Sequence, residues 1–283
     1  MLPKKMFFPI GGGEELEERI FGALLVSKYF NTHLEILASE PTPSNLIPPE
    51  MGMPGNLLKE LGLAVKKNIQ AEAKINEEIF KTTCKKLDIS VSQAPKEDTS
   101  TAHLTVGEGY RSTLVSQQSK FCDMVIAAAP TNGIATATFE SAVLESGKPV
   151  IVIPRVMKEF KVDNILIGWN NSPQASRAVL DSIPILKKAK KVHIISSKEY
   201  TKESLSCIKD LQNYLAVHDI DASFELVETT RVPGKALLNN AQKGNFDLII
   251  AGAYGRKGLK ELMLGAATRY LLEHTTIPTL MSH

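Results

Sequence analysis

Three glycines near the C-terminal end of the chain have the spacing of a phosphate-binding loop. The apolar run 248–251 leads into Gly252, and Gly255 and Gly265 follow with two and then nine residues between successive glycines. Glycines at the end of a strand let a ligand approach the backbone closely. A helix that begins just after Gly265 would also direct its N–H groups and positive dipole end toward an anion. The spacing therefore predicts a site for the phosphates of a nucleotide.

The elements around these glycines indicate a parallel sheet. Strands and helices alternate through the second half of the chain. The predicted strands are 164–169, 191–196, 222–227, 248–251 and 279–281, and the predicted helices are 174–187, 202–218, 234–243 and 266–274. This alternation predicts right-handed βαβ units with helices on both faces of the sheet. Ligands of such sheets bind beyond the carboxyl ends of the strands, where the strand order reverses, and the glycine segment would lie there.

The chain repeats this pattern. The segment 121–128 resembles 246–252, because each has an aspartate followed by a short apolar run. The apolar segments 149–153 and 278–281 each follow at a similar distance, across a stretch with helical spacing. Two similar halves are therefore predicted, and we place the domains at 1–157 and 158–283.

The first half carries additional residues at about 41–87. This insertion begins with a proline- and methionine-rich stretch that is typical of a loop, and it continues with a predicted helix from about 56 to 86. Two interpretations are open. The insertion covers the apolar surface of its own domain, which we favour, or its methionines and long helix form a surface that binds a partner.

Composition and cysteine usage set the broad class. Hydrophobic residues make up 43% and charged residues 23% of the 283 residues, as in a folded globular protein, and the net charge is only +2. We therefore expect neither nucleic acid nor a membrane as a partner. Cys84, Cys122 and Cys207 lie far apart, which excludes the usual zinc and redox motifs. We expect a cytoplasmic protein whose cysteines are small buried hydrophobic residues.

The second half resembles a universal stress protein domain, and the whole chain resembles a tandem member of that family. The family signature is Gly, two residues, Gly, nine residues, Gly, and then usually Ser or Thr. Gly252, Gly255 and Gly265 match this spacing, whereas Ala266 departs from it. The resemblance implies an α/β fold of two tandem Rossmann-like domains, each a five-stranded parallel sheet in the order 3-2-1-4-5 with helices on both faces. Some members of the family bind ATP and others do not.

Carried over to this chain, the resemblance implies one binding site for ATP, with or without Mg²⁺. Asn170 stands where ATP-binding members usually have an aspartate, and an amide can also hydrogen-bond adenine or ribose. The implied site residues are Gly168, Trp169, Asn170, Ser197, Gly252, Ala253, Gly255, Gly265, Ala266, Ala267 and Thr268. Each has a plainer alternative, because glycines at strand ends are often turns, Trp169 could be core, and residues 170–173 suit a turn and a helix cap.

The first half lacks the signature. Its aligned positions hold Ala128, Thr131 and approximately Ala137 in place of the three glycines. We therefore expect a stress-response regulatory protein that binds an adenine nucleotide in its C-terminal domain alone. The alternatives are a nucleotide-free interaction or scaffold protein of the same fold, or a slow ATPase.

Catalysis is not indicated beyond weak ATPase activity or self-phosphorylation, and no catalytic or metal-binding residue is nominated. The protein partners are unknown. The two halves are expected to pack as an intrachain pseudo-dimer along their last strands, 149–153 and 279–281, because an apolar edge strand left open invites aggregation. A homodimer of whole chains is left open.

Overall fold

The computed structural model describes residues 1–11, 13–41, 55–131, 133–198, 201–228, 232–253 and 266–283. The first half contains six strands in these ranges, one more than expected. In chain order its elements are β1 (Lys5–Ile10), α1 (Leu16–Phe30), β2 (His33–Glu40), α2 (Gly55–Lys86), β3 (Ser90–Val91), β4 (Thr101–Glu108), α3 (Arg111–Gln118), a 3₁₀ turn (Ser119–Phe121), β5 (Met124–Ala128), α4 (Ala137–Glu140), a π-helical turn (Ser141–Glu145) and β6 (Val150–Ile153).

The second half follows the alternation that its sequence predicts. In chain order its elements are β7 (Asn164–Gly168), α5 (Pro173–Leu186), β8 (Lys191–Ser197), α6 (Thr201–Val217), β9 (Ala222–Val227), α7 (Pro233–Lys243), β10 (Leu248–Gly252), α8 (Ala266–His274) and β11 (Thr279–Ser282). The fold is α/β, as expected from the sequence. No helix in the described ranges is both long and apolar enough to cross a membrane.

One sheet runs through the described part of both halves. Its order is β3-β4-β2-β1-β5-β6-β11-β10-β7-β8-β9. Within each half all pairings are parallel. The second half therefore has the order third, second, first, fourth, fifth, and the first half has the same order with the two-residue β3 added outside β4. The strand order reverses between β1 and β5 in one half and between β7 and β10 in the other.

The two halves meet through their last strands. β6 and β11 pair antiparallel, with Val152 opposite Thr279 and Ile151 opposite Leu280. Every residue of both strands is buried. Each of the two edge strands thus covers the other, as expected for halves that pack as an intrachain pseudo-dimer.

The insertion is mostly the long helix α2. Its C-terminal part is packed, since Phe80 and Cys84 are buried and Lys86 forms an ion pair with Glu17 of α1. Earlier in the helix Leu63 and Ile75 are more than half exposed. The packed part agrees with the covering interpretation, while residues 42–54, the predicted loop, lie outside the described ranges.

The repeated aspartate links the first and fourth strands of each half. Asp247 accepts a hydrogen bond at Oδ2 from the backbone N–H of Asn164 at 2.8 Å and from its side-chain Nδ2 at 3.2 Å. Asp123 accepts from the backbone N–H groups of Lys4 and Lys5 at 2.8 and 2.9 Å. In return the backbone N–H of each aspartate donates to the carbonyl of Asn164 or Lys5. The aspartate thus sets the register in which the fourth strand enters the sheet.

This link predicts that Asp247→Ala destabilises the chain by about 1–3 kcal/mol, because the backbone donor at Asn164 loses a charged acceptor. The measurement is urea unfolding followed by circular dichroism. Asp210→Ala, on the exposed face of α6, is the matched control and should leave the midpoint unchanged. Equal midpoints for the two variants would show that the link contributes nothing measurable.

A second prediction concerns the contact between the halves at Gly133. Both Gly133 and Gly147 have φ of +64°. A Cβ at Gly133 would lie 2.3 Å from Cβ of Glu273 in α8, whereas one at Gly147 would meet nothing within 4 Å. Gly147→Ala should cost about 1–2 kcal/mol for the left-handed backbone alone. Gly133→Ala should cost about 1–3 kcal/mol more, because it also overpacks the interface. Equal shifts in the urea midpoint would contradict a tight contact here.

Candidate functional site

The sheet brings most of the predicted site residues to one edge. Gly168, the last residue of β7, pairs with Ile195 of β8 on one side and with Ala251 of β10 on the other. Ser197 ends β8 and Gly252 ends β10. These positions lie at the carboxyl ends of the three central strands, at the point where the strand order reverses, which is where α/β sheets bind ligands.

Asn170 stabilises the turn that leads into α5. Its Oδ1 accepts hydrogen bonds from Ser172 Oγ at 2.7 Å and from the Ser172 backbone N–H at 3.2 Å. Ser172 in turn caps α5 by accepting from the backbone N–H of Ala175 at 3.1 Å, and Asn171 has a left-handed φ of 55°. The turn-and-cap interpretation of residues 170–173 is therefore correct. Asn170 is exposed, and its Nδ2 has no partner in the described part of the chain.

Trp169 extends the strand pairing and leaves one donor unpaired. Its backbone N–H donates to the carbonyl of Ile195 at 2.9 Å, and its ring packs against the core. Its indole Nε1 is hidden from solvent and has no acceptor within the described ranges. A buried donor without an acceptor costs about 1–3 kcal/mol, and few native structures leave one without a reason. Trp169 at this strand end is therefore a core side chain, and its indole N–H has no partner in the described ranges.

Packing requires a glycine at Gly252 and leaves little room for a side chain at Gly168. A Cβ at Gly252 would lie 2.6 Å from the backbone N of Ala175 and 2.8 Å from the carbonyl carbon of Gln174. A Cβ at Gly168 would lie 3.0 Å from a methyl carbon of Leu237 in α7. The first contact involves backbone atoms that cannot move aside, so Gly252 allows the first turn of α5 to approach the end of β10. The alternative expected from the sequence for these glycines was a turn, whereas the structure places both at strand ends against a neighbouring helix.

The residues near α8 are also closely packed. The backbone N–H of Ala253 donates to the carbonyl of Ser282 at 2.9 Å, so that donor already has a partner. The carbonyl of Ala267 lies 2.4 Å from where a Cβ would stand at Gly234, which brings α7 against α8. Thr268 is only 4% exposed. Gly234 was not identified from the sequence, although a glycine inside a predicted helix is a recognisable sign of close helix packing.

The central part of the glycine motif lies outside the described residues. Gly255 and Gly265 fall in 254–265, and the side chain of Ala266 is likewise not described. The structure describes what borders them, which is β10 ending at Gly252 and α8 running from Ala266 to His274. The strand and helix that the motif needs on either side are therefore in place.

The thiols are poorly suited to chemistry. Burial raises the pKa of Cys84 and of Cys122 to about 12, so both remain protonated at neutral pH. Both are buried, as expected, whereas Cys207 is partly exposed, which corrects the expectation for the third cysteine.

Among the described residues, no group of three or more His, Cys, Asp or Glu side chains could hold a metal ion.

Comparison with known proteins finds relatives of the C-terminal part of the chain. Residues 187–283 match the universal stress protein family. The chain is 30% identical over 83 residues to Universal stress protein YxiE of Bacillus subtilis, a match that spans 29% of this chain and 55% of that protein. It is 29% identical over 75 residues to Universal stress protein Slr1101 of Synechocystis, which spans 26% of this chain and 68% of that protein. The chain thus matches only about half the length of YxiE.

Comparison of structures extends the likeness to both halves. A crystal structure of a universal stress protein from Archaeoglobus fulgidus covers 98% of this chain and 97% of its own, with a TM-score of 0.67 and 14% sequence identity. At that identity the likeness shows the fold, and it is consistent with two domains in tandem. The family match therefore covers the C-terminal part of the chain, and the whole chain shares its fold with a universal stress protein.

Proposed function

We propose that this chain is a stress-response regulatory protein that binds ATP, or another adenine nucleotide, in its second domain. One observation carries the proposal. The segment with Gly255 and Gly265 begins beyond β10, at the edge where the strand order reverses, and it leads into α8. A strand, a glycine-rich segment and a helix in that order are the arrangement that binds phosphates through backbone N–H groups.

The described residues offer donors for the rest of a nucleotide. The Nδ2 of Asn170 faces solvent beside β7, and an amide donor there suits a ribose oxygen or an adenine nitrogen. Trp169 lies one residue earlier at the same strand end, with its Nε1 hidden from solvent. When bound, the nucleotide would supply negative charge and conformational order. It would thereby change a surface that protein partners recognise, without a dedicated chemical step.

The residue at the end of the fourth strand of the first domain argues against this role for that domain. Ala128 ends β5 opposite Ile153 of β6, as Gly252 ends β10 opposite Ser282 of β11. Ala128 therefore takes the place of the first glycine of the motif, and the later glycines are also missing from the aligned positions. We accordingly propose a single nucleotide per chain, with the protein acting in the cytoplasm.

A nucleotide-free interaction protein is the second candidate. It is favoured by the backbone contact at Gly252, which explains that glycine without any ligand. The exposed Leu63 and Ile75 on α2 would then belong to the surface that a partner contacts. The two candidates differ in whether purified protein carries a nucleotide.

The test is to denature freshly purified protein and identify the released small molecules by chromatography and mass spectrometry. We expect ATP or ADP in an amount equimolar with the chain. An absence of nucleotide, together with no thermal shift on addition of ATP and Mg²⁺, would favour the interaction protein.

Variants at glycines sharpen the test. Gly265→Val should lower ATP affinity by about tenfold or more, because a bulky side chain obstructs close approach of the phosphates. Gly252→Ala is unsuitable for this purpose, since it would clash with the backbone at Ala175 whether or not a ligand binds. Gly62→Ala is the matched control, because a Cβ there meets nothing within 4 Å. Equal ATP affinity of Gly265→Val and Gly62→Ala in isothermal titration calorimetry would contradict the glycine-motif site.

A further inference from the structure

The first domain has its own group of cationic side chains at the carboxyl ends of its strands. Three arginines from separate elements approach the loop that follows β1: Arg19 in the first turns of α1, Arg111 at the start of α3, and Arg155 just after β6. All three are partly buried. The strand order of this domain reverses between β1 and β5, so the three arginines lie at the ligand-binding edge of the first domain.

The repeat shows which positions these arginines occupy. Lys5 and Asn164 are equivalent, because each accepts from the N–H of the repeated aspartate and each begins its strand. Counting forward from them makes Gly11 the counterpart of Asn170. Lys5 pairs with His33 and Asn164 pairs with Lys191, so His33 and Lys191 are also equivalent. Counting forward from these two residues makes Ser39 the counterpart of Ser197.

Arg111 contacts both counterparts. Its Nε donates to Ser39 Oγ at 3.1 Å. Its guanidinium lies over Gly11, since a Cβ at that glycine would be 2.1 to 2.4 Å from the guanidinium atoms. Arg111 therefore fills the corner that corresponds to the proposed base and ribose corner of the second domain. An adenine base cannot occupy this corner while Arg111 is there.

Arg19 and Arg155 hold the loop after β1 on its other sides. Arg19 Nη2 donates to the carbonyl of Gly11 at 3.0 Å, and its Nε donates to the carbonyl of Glu15 at 3.3 Å. Arg155 Nη2 donates to the carbonyl of Glu14 at 2.9 Å, and Arg155 Nε forms an ion pair with the Glu15 carboxylate. The loop is thus positioned by guanidinium groups, where the second domain uses the Asn170 turn.

The carboxylates around this group are shared unevenly. Glu15 pairs with Arg155, and Glu17 and Glu18 lie in the first turn of α1. The pKa of Arg19 is lowered by burial and then by the positive charges of Arg155 and Arg111, while Glu15 and Glu18 oppose the shift. Burial also lowers the pKa of Arg111. Arg111 has no carboxylate partner in the described ranges and makes only the bond to Ser39, so its Nη donors have no acceptor there. Partly buried like charges repel one another, and an anion would relieve that repulsion.

We propose that the first domain binds a small multiply charged oxyanion, such as inorganic pyrophosphate or the phosphates of a phosphorylated metabolite, between Arg19, Arg111 and Arg155. Guanidinium forks match phosphate geometry in a bidentate manner. The ligand is recognised by its phosphate oxygens and has no base in this site. This site is independent of the nucleotide site proposed for the second domain.

The experiment is isothermal titration calorimetry of full-length protein with sodium pyrophosphate at constant ionic strength. Wild type should bind pyrophosphate, and Arg111→Gln should weaken binding by about tenfold or more, as expected for loss of a charged hydrogen-bonding partner. Arg177→Gln, which removes an exposed arginine from α5, is the matched control and should bind like wild type. Arg111→Lys keeps the charge without the fork and should be intermediate.

Three outcomes would overturn the proposal. Wild type that does not bind pyrophosphate at millimolar concentration would mean that the arginines only brace the loop after β1. Unchanged binding in Arg111→Gln would place the anion elsewhere. Loss of pyrophosphate binding in Gly265→Val would place it in the second domain.

Urea midpoints of the variants check that they fold, and Arg19→Gln provides a second test if Arg111→Gln is unstable. Failure of ATP to bind the second domain would leave this result unaffected.

Discussion

The antiparallel pairing of β6 with β11 is the constraint on which the rest of the structure depends. Each half alone would end in a strand of buried residues with one edge unpaired, and such an edge invites aggregation. Joining the two edges solves this for both halves at once. Because all other pairings within a half are parallel, the antiparallel joint also makes the strands of the halves run in opposite directions. The two candidate sites therefore lie at opposite edges of one continuous sheet.

The repeated aspartates show which features both halves keep. Asp123 and Asp247 make the same bonds to the start of the first strand, so each half enters its fourth strand in the same register. The two halves differ at the carboxyl ends of their first strands. There Asn170 and Ser172 form a turn and a helix cap, whereas at the counterpart Gly11 the absence of a side chain makes room for Arg111. The halves thus share the interactions that fold them and differ in those that could bind a ligand.

The sequence was sufficient for the α/β fold and for the strand and helix that border the glycine motif. The second-half elements could be placed closely, because their apolar runs alternate with helices bounded by clear signals such as Ser172 and Pro173. The packing of Gly252 against Ala175 and of Gly234 against Ala267 could not be predicted, since a glycine spacing does not say which backbone approaches it. The arginine group was also missed. Arg19, Arg111 and Arg155 lie far apart in sequence, and only the strand order brings them together.

The two edges also differ in how they would compensate a ligand's charge. At the second-domain edge the expected donors are backbone N–H groups of the glycine motif and the exposed amide of Asn170, which carry no net charge. At the first-domain edge the donors are guanidinium groups that already repel one another. Neutral donors select by shape and can accept a base beside the phosphates, whereas clustered cations select by charge. A tandem chain of this kind can therefore carry two sites for two classes of anion on one sheet.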